Sequence, residues 1–329
     1  MGPVRIGVLG CAAFARRRVL PAVAASSGAA AGGHAEVVAV ASRSIDKARE
    51  FAADFGGKAV PGYAELLDLP EVEAVYVPLP PALHAPWVRA ALLAGKHVLV
   101  EKPMSTDAAT TAELLDLARA RGLVLQENVL FVHHHQHTVV RRLLRQGAIG
   151  EVTELRSRFT VPELPADDIR YRPDLGGGAL LDIGLYPVRS ALHLLGGPFE
   201  VVEAELTRRP GDAVETGGRA LLRTAAGVRA ELAFGLVHDY RSCYELVGTG
   251  GRLVVDRAFT PPADHRPELV LERDGRRETL RLDCDDQVGN AISAFATAVR
   301  RGARPDADAL NQALLLDRIR EFSGEPESL

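Results

Sequence analysis

Cysteine is scarce in this chain of 329 residues: there are three, Cys11, Cys243 and Cys284, far apart and odd in number. With no CxxC among them, a disulfide framework is excluded, and reduced thiols in a cytoplasmic protein are expected. Long apolar runs are also missing. Charged residues, Gly or Pro interrupt every apolar stretch before it reaches spanning length, so no transmembrane helix is expected. No long basic run occurs and the formal net charge is -4, which argues against a nucleic-acid polymer as partner. The first five residues lead straight into an apolar strand, so no signal peptide is expected. Ile6 stands where N-myristoylation on Gly2 would need Ser or Thr.

What is present is the composition of a globular protein, 47% hydrophobic and 25% charged. The length is more than one core usually serves, so two domains are expected. In the first half, apolar strands alternate with helical stretches up to residue 128, which reads as a parallel, doubly wound sheet. Its opening, residues 4–9, runs into Gly10-Cys11-Ala12-Ala13-Phe14-Ala15 and then a helix over 16–25. This is GxAxxA in the place of a GxGxxG dinucleotide fingerprint. Gly10 supplies the tight turn, Ala12 lets the backbone approach a pyrophosphate, and Ala15 permits close helix packing. The helix start adds unpaired N–H groups. On its own the motif is equally a plain strand-to-helix turn. Residues 26–33, rich in Ser, Gly and Ala, read as a surface loop.

The second strand, 36–41, ends in Ser42-Arg43-Ser44 with Lys47 following. NAD enzymes usually carry a carboxylate here for the ribose 2′-OH. Hydroxyls and cations in its place favour the 2′-phosphate of NADP(H). A strand over 74–77 ends in Pro78-Leu79-Pro80, a donor-poor loop suited to lie along a nicotinamide ribose, and His84 follows at a helix start. The strand 97–100 ends in Glu101-Lys102-Pro103, where Pro103 stops the ladder. By itself this triplet reads as a surface ion pair. At the carboxyl edge of an α/β sheet, where ligands bind, Lys102 gains a second reading as a donor to a substrate oxygen. A helix over 106–121, capped by Ser105 or Thr106, and a strand ending at Asn128 complete the series.

After residue 128 the pattern changes. His133, His134, His135 and His137 crowd the start of a helix that ends near Gln146. No carboxylate or thiol partner has ligand spacing, so no metal is expected, and the stretch reads as lining a substrate cleft. Arg170-Tyr171-Arg172-Pro173 reads either as a solvated loop or as a contact for a diphosphate. Gly176-Gly177-Gly178 opens an apolar helix carrying Asp182 and Tyr186 four residues apart, hence on one face. Both are costly there without partners. From residue 201 on, seven strands with turn signals such as Asp274-Gly275 predict an antiparallel sheet, and two helices close the chain. Its open face would suit a homo-oligomer, dimer or tetramer. The fold class expected is α/β. Residues 1–128 form a Rossmann domain, and 129–329 an α+β domain with a large, mostly antiparallel open sheet. The last C-terminal helix is a candidate to pack back on the first domain.

These motifs together resemble the glucose–fructose oxidoreductase/inositol dehydrogenase/MocA superfamily. The residues that carry the resemblance are GxAxxA, the Val77-Pro78-Leu79-Pro80 loop with His84, Glu101-Lys102-Pro103, and the run from Gly176 through Asp182 to Tyr186. Within it the chain is similar to nucleotide-sugar 3-ketoreductases of antibiotic deoxysugar pathways. That likeness rests on Gly10-Cys11-Ala12 with Arg17-Arg18 and Leu20-Pro21, Phe131-Val132-His133-His134, Asp168-Ile169-Arg170-Tyr171, and Phe259-Thr260-Pro261-Pro262. The resemblance implies NADPH-dependent reduction of the C3 ketone of a dTDP-linked 3,4-diketo-2,6-dideoxyhexose. It puts Lys102, Tyr186 and Asp182 in catalysis, with Lys102 favoured over Tyr186 as proton donor. Cofactor contacts fall to Gly10 through Ala15, Ser42, Arg43, Ser44, Lys47, Pro78, Leu79, Pro80, His84, Glu101, Lys102 and Asn128. Substrate contacts fall to Lys102, His133, Arg170, Tyr171, Asp182 and Tyr186. Many superfamily members carry His where Tyr186 stands, which counts against a histidine-based mechanism. A sugar or dihydrodiol dehydrogenase of the same superfamily, and a non-catalytic NADP-binding regulator, are the alternative activities.

Overall fold

The computed structural model describes residues 2–26, 34–302 and 307–324. The loop expected at 26–33 lies, beyond Ser26, outside the described residues. The chain divides into two compact units, Met1–Val129 with Val288–Ala309, and Leu130–Gln287 with Leu310–Leu329.

The first unit is built on a parallel sheet of β1 (Val4–Leu9), β2 (Ala35–Ala41), β3 (Lys58–Val60), β4 (Ala74–Val77), β5 (His97–Val100) and β6 (Leu125–Glu127), in the order β3-β2-β1-β4-β5-β6. The central strands are near-continuous apolar runs because helices cover both faces of such a sheet. Val8, Leu9, Val75, Val77, Val98, Leu99 and Val100 have no exposed surface, each burial worth about 1.5–3 kcal/mol. The helices are α1 (Leu20–Ser26), α2 (Ile45–Phe55), α3 (Tyr63–Leu67), α4 (His84–Leu93) and α5 (Ala108–Arg121). Helix α5 is capped by Asp107, whose carboxylate accepts from the Thr110 N–H at 2.7 Å, and not by the expected Ser105 or Thr106. Ser105 instead turns its hydroxyl inward to Thr111. Strand order reverses between β1 and β4, so the crevice for a ligand opens beyond the carboxyl ends of those two strands.

The second unit begins with α6 (His135–Arg145), β7 (Val152–Thr160) and α7 (Leu185–Leu195). Strands β8 (Phe199–Thr207), β9 (Gly217–Thr224), β10 (Arg229–Gly235), β11 (Arg241–Gly248), β12 (Gly251–Val255), β13 (Glu268–Arg273) and β14 (Arg276–Arg281) complete a sheet in the order β14-β13-β12-β11-β7-β10-β9-β8. All its pairings are antiparallel except β7 with β10. One face of β7, with Leu155, Ser157 and Phe159, is buried, and Ser157 meets Ser190 of α7 at 2.8 Å. The opposite face carries ion pairs across strands, among them Arg219–Glu205, Arg252–Glu272 and Arg156–Glu245.

Helices α8 (Gln287–Arg301) and α9 (Ala307–Phe322) end the chain. The penultimate helix, rather than the last, groups with the first unit. Its Arg300 donates to Glu73 at 3.1 Å and to the carbonyls of Gly2 and Pro3. From Leu310 on, helix α9 belongs to the second unit, where Gln312 accepts from Arg189 at 2.7 Å. Among the described residues no helix is long and apolar enough to cross a membrane.

Candidate active site

In the first unit the candidate residues gather at the carboxyl ends of the parallel strands. Gly10 leaves β1 with φ 115°, a conformation that costs a side chain dearly. A Cβ there would also lie 2.7 Å from Leu79 Cδ2, so this turn and the loop after β4 touch. The Gly10 N–H donates to Ala41 O at 2.9 Å, tying the turn to the end of β2. Ala15 is fully buried, while Ala13 and Phe14 are exposed and Cys11 and Ala12 half-buried. The following turn, Ala15–Val19, is π-helical and leads into α1, a form that recurs at functional sites. Burial pushes the Cys11 thiol up, against a hydrogen bond with Ser42 and the charge of Lys47.

At the end of β2, Ser42 is buried and accepts from the Ser44 N–H, and Ser44 caps α2 through the Lys47 N–H at 3.5 Å. Both hydroxyl oxygens therefore accept from the local backbone. Arg43 and Lys47 are exposed, so the open charge at this strand end is cationic. No carboxylate stands at positions 42–44.

Lys102 sits in a segment pinned on both sides. Before it, one oxygen of Glu101 accepts from Tyr76 Oη and from Asn128 Nδ2, each at 2.7 Å. Burial raises the Glu101 carboxyl, and the donors Asn128 and Tyr76 and the Lys102 charge oppose it. After it, Pro103 O lies 2.6 Å from Nδ1 of His84, whose Nε2 lies 2.6 Å from Leu79 O. His84 is fully buried and thus joins the loop of Pro78, Leu79 and Pro80 to the Lys102 segment. Burial lowers its pKa to about 4, against the pull of the two carbonyls and with the help of the Lys102 charge. One residue further, the Met104 N–H donates to buried Glu127 at 2.7 Å. Tyr76, Glu127 and the clamping role of His84 went unforeseen in the sequence. Their one signal was a polar group at a strand end or helix start in otherwise apolar surroundings. Asn128 Oδ1 is buried with no hydrogen-bond partner, an acceptor left at the carboxyl end of β6.

In the second unit, Asp182 lies in a π-helical turn, Leu180–Gly184, that runs into α7. Arg170 Nε donates to Asp182 at 2.6 Å, and its Nη1 donates to Asp168 at 3.1 Å. The two carboxylates, Asp182 first, hold the guanidinium well above its ordinary pKa. Within the chain Arg170 is thus paired with Asp182, and Arg172 likewise faces Asp174 at 2.6 Å. The Tyr171 hydroxyl accepts from the Leu164 N–H at 3.3 Å. The glycines before the turn are a close crossing: a Cβ on Gly177 would stand 2.6 Å from Arg170 O, and Gly178 has φ 120°. Tyr186 is half-buried against Phe159, Phe259 and Phe131, with ring centroids at 4.9, 5.7 and 6.0 Å.

The histidine stretch separates into structural roles. His134 caps α6 through the Gln136 N–H at 3.1 Å. His137 is buried, with Nδ1 2.9 Å from Tyr244 Oη and Nε2 2.9 Å from Ala258 O, and burial lowers its pKa to about 3. His133 is half-buried in the short turn Leu130–His133. Among the described residues no three His, Cys, Asp or Glu side chains are grouped to hold a metal ion.

Known protein families match both units. A family model described as an oxidoreductase family with an NAD-binding Rossmann fold matches residues 4–129, and the GFO/IDH/MocA C-terminal domain matches residues 137–254. The chain belongs to the GFO/IDH/MocA oxidoreductase family. A relative from Saccharopolyspora spinosa, a dTDP-3,4-didehydro-2,6-dideoxy-alpha-D-glucose 3-reductase, is 52% identical over 94% of this chain and 91% of its own. The structure of KijD10, a 3-ketoreductase from Actinomadura kijaniata in complex with NADP and TDP-benzene, matches with a TM-score of 0.93. It is 47% identical, over 98% of each chain. Two KijD10 variants, one with a tyrosine changed to phenylalanine and one with a lysine changed to alanine, match over 98% of each chain. Their TM-scores are 0.93 and 0.90, at 47% and 45% identity. GxAxxA and Glu101-Lys102-Pro103 stand in the part matched by the Rossmann-fold model, and Asp182 and Tyr186 in the part matched by the C-terminal domain.

Proposed function

We propose that this protein reduces the C3 ketone of a dTDP-linked 3,4-diketo-2,6-dideoxyhexose with NADPH, giving the 3-hydroxy-4-keto sugar. The observation that carries the proposal is Lys102, a cation pinned between Glu101 and Pro103 at the sheet edge that bears the dinucleotide turn. The choice of sugar draws on the substrate named for the relative that is 52% identical.

NADPH fits the residues present. Gly10, at φ 115°, keeps side-chain bulk out of the turn, where a Cβ would run into Leu79. Gly10 through Ala15 would hold the pyrophosphate, and Arg43 and Lys47 the 2′-phosphate. Pro78, Leu79 and Pro80 would flank the nicotinamide ribose. The buried, unpartnered Oδ1 of Asn128 offers an acceptor to a carboxamide. When bound, NADPH supplies the hydride that the ketone carbon accepts. Negative charge then grows on the ketone oxygen, where a cationic donor is worth most. Lys102 gives that oxygen its proton, and the Tyr186 hydroxyl assists. Asp182, held by the Arg170 guanidinium, orients sugar hydroxyls. His133 and Tyr171 are further substrate contacts in this scheme.

The test is direct. Incubation with NADPH and enzymatically made dTDP-3,4-diketo-2,6-dideoxyglucose should consume the reduced cofactor and yield the 3-hydroxy sugar. Turnover of free pentoses or dihydrodiols with NADP, and none of the dTDP-sugar, would replace this function with a dehydrogenase. We infer further that the protein is a homo-oligomer, a dimer or tetramer joined through the open face of the second sheet. Support comes from Leu221, Ala233, Cys243 and Val254, which are half-buried among the cross-strand ion pairs of that face. A monomer in sedimentation at micromolar concentration would count against it. The free thiols Cys11, Cys243 and Cys284 suit a reducing compartment such as the cytoplasm.

A further inference from the structure

Two sequence motifs, the histidine stretch after Phe131, of which the chemistry uses only His133, and the unused Phe259-Thr260-Pro261-Pro262, meet inside the second unit. The segment 257–260 is held there by its main chain. Gln136 Nε2 donates to Ala258 O at 3.2 Å and to Arg257 O at 3.4 Å, and Gln287 Nε2 donates to Phe259 O at 3.3 Å. Neutral His137 accepts a hydrogen bond from the Tyr244 hydroxyl on Nδ1 and donates its Nε2–H to Ala258 O, because a carbonyl only accepts. Ser242 closes the clamp: its Oγ accepts from the Phe259 N–H at 3.0 Å, and its carbonyl from the Ala258 N–H at 2.7 Å. Gln136, His137 and Gln287 are each at most 2% exposed. Arg257 enters the segment at φ 50°, a conformation a non-glycine residue holds only under constraint.

Such a network is expensive. Gln136 Oε1 and Gln287 Oε1 are buried without hydrogen-bond partners, a cost that apolar side chains of similar shape would avoid. What the network holds in place is the Phe259 ring, fully buried and packed on Tyr186, Phe131 and Phe159. The phenol of Tyr186 therefore has one wall whose position is set by Gln136, His137 and Gln287. We propose that these three are positioning residues for the reduction: by fixing the carbonyls of Arg257, Ala258 and Phe259, they fix the Phe259 ring and so the place of the Tyr186 hydroxyl. The inference rests on the role given to Tyr186 above. A displacement of about 1 Å at a reacting group can cost on the order of 100-fold in rate, so a small tilt of the ring is enough.

A mutant cycle tests it. Gln136→Met and Gln287→Met keep the side-chain length and remove the donor. In the otherwise unchanged protein each should lower kcat for the dTDP-diketo sugar roughly 10-fold, with KM for NADPH unchanged. In a Tyr186→Phe background the same changes should have no further effect on kcat, since the hydroxyl they position is gone. Equal losses in both backgrounds, or no loss in either, would overturn the proposal. An unchanged kcat for Tyr186→Phe alone would instead remove the assisting role of Tyr186, and the proposal with it. Should a glutamine variant fail to fold, Phe259→Leu supports the same comparison by trimming the wall itself.

Discussion

Lys102 depends on its neighbours more than on its own side chain for placement. Glu101, His84 and Glu127 hold the backbone before and after it, so Lys102→Ala should remove a donor without loosening the segment. Its loss should lower kcat about 10²–10³-fold, roughly 3–4 kcal/mol, and leave dTDP-sugar binding mostly intact. Tyr186→Phe should be the milder change. Steady-state kinetics of both variants decide the order, and a larger loss for Tyr186→Phe would make Tyr186 the proton donor. At the cofactor's other end, the hydroxyl oxygens of Ser42 and Ser44 accept from backbone N–H groups, and exposed Arg43 is the proposed holder of the 2′-phosphate. Arg43→Ala should cost NADPH affinity about 1.5–3 kcal/mol, the worth of a charge-assisted hydrogen bond. NADH affinity should hardly move. Cofactor titration by fluorescence measures both, and equal losses would take Arg43 off the phosphate.

The element that carries Asp182 and Tyr186 is made possible by glycine. Gly178 combines φ 120° with a position where a Cβ would run into the Glu215 carboxylate, which itself accepts from the Leu180 N–H at 3.0 Å. Gly178→Ala should therefore destabilise the fold by about 1–3 kcal/mol, seen as a lower urea midpoint at unchanged slope. The glycine triplet and the helix after it were legible in the sequence; the π-helical turn was not, because one extra residue in a helical turn leaves the apolar pattern almost unchanged. The same holds for the turn after Gly10. Most strands and helices of both sheets followed from periodicity and turn residues, but β3 escaped, since three residues on a sheet edge show no alternation. Lys102, Asp182 and Tyr186 stood out as polar groups in apolar runs. The pairing of Asp182 with Arg170 did not, and neither did the burial of His134 and His137, since each depends on a partner that the fold and not the local pattern brings near. For the two histidines these are Asp285, Tyr244 and Ala258.

At the scale of the whole molecule, the chain passes between its two units at 129/130, 287/288 and 309/310, and Arg300 fastens the returning helix α8 to the first. The Arg300 hydrogen bonds hold the Glu73 carboxyl at about 2, well below its ordinary 4.5, with burial opposing and Arg5 assisting. A carboxyl lowered in the folded state contributes stability that is complete above 4.5 and disappears as the pH falls towards 2. At this partly buried site that contribution is on the order of 2 kcal/mol. Thermal unfolding followed from pH 6 to pH 2.5 should show the loss, and Arg300→Ala should flatten it. The threading also matters to anyone who recombines genes. A hybrid joined to a relative at residue 129 would bring Glu73 from one parent and position 300 from the other, breaking a contact that lies 227 residues apart in sequence. A seam that respects the fold takes residues 288–309 from the same parent as residues 2–129, so the gene must be cut three times to exchange one nucleotide-binding unit.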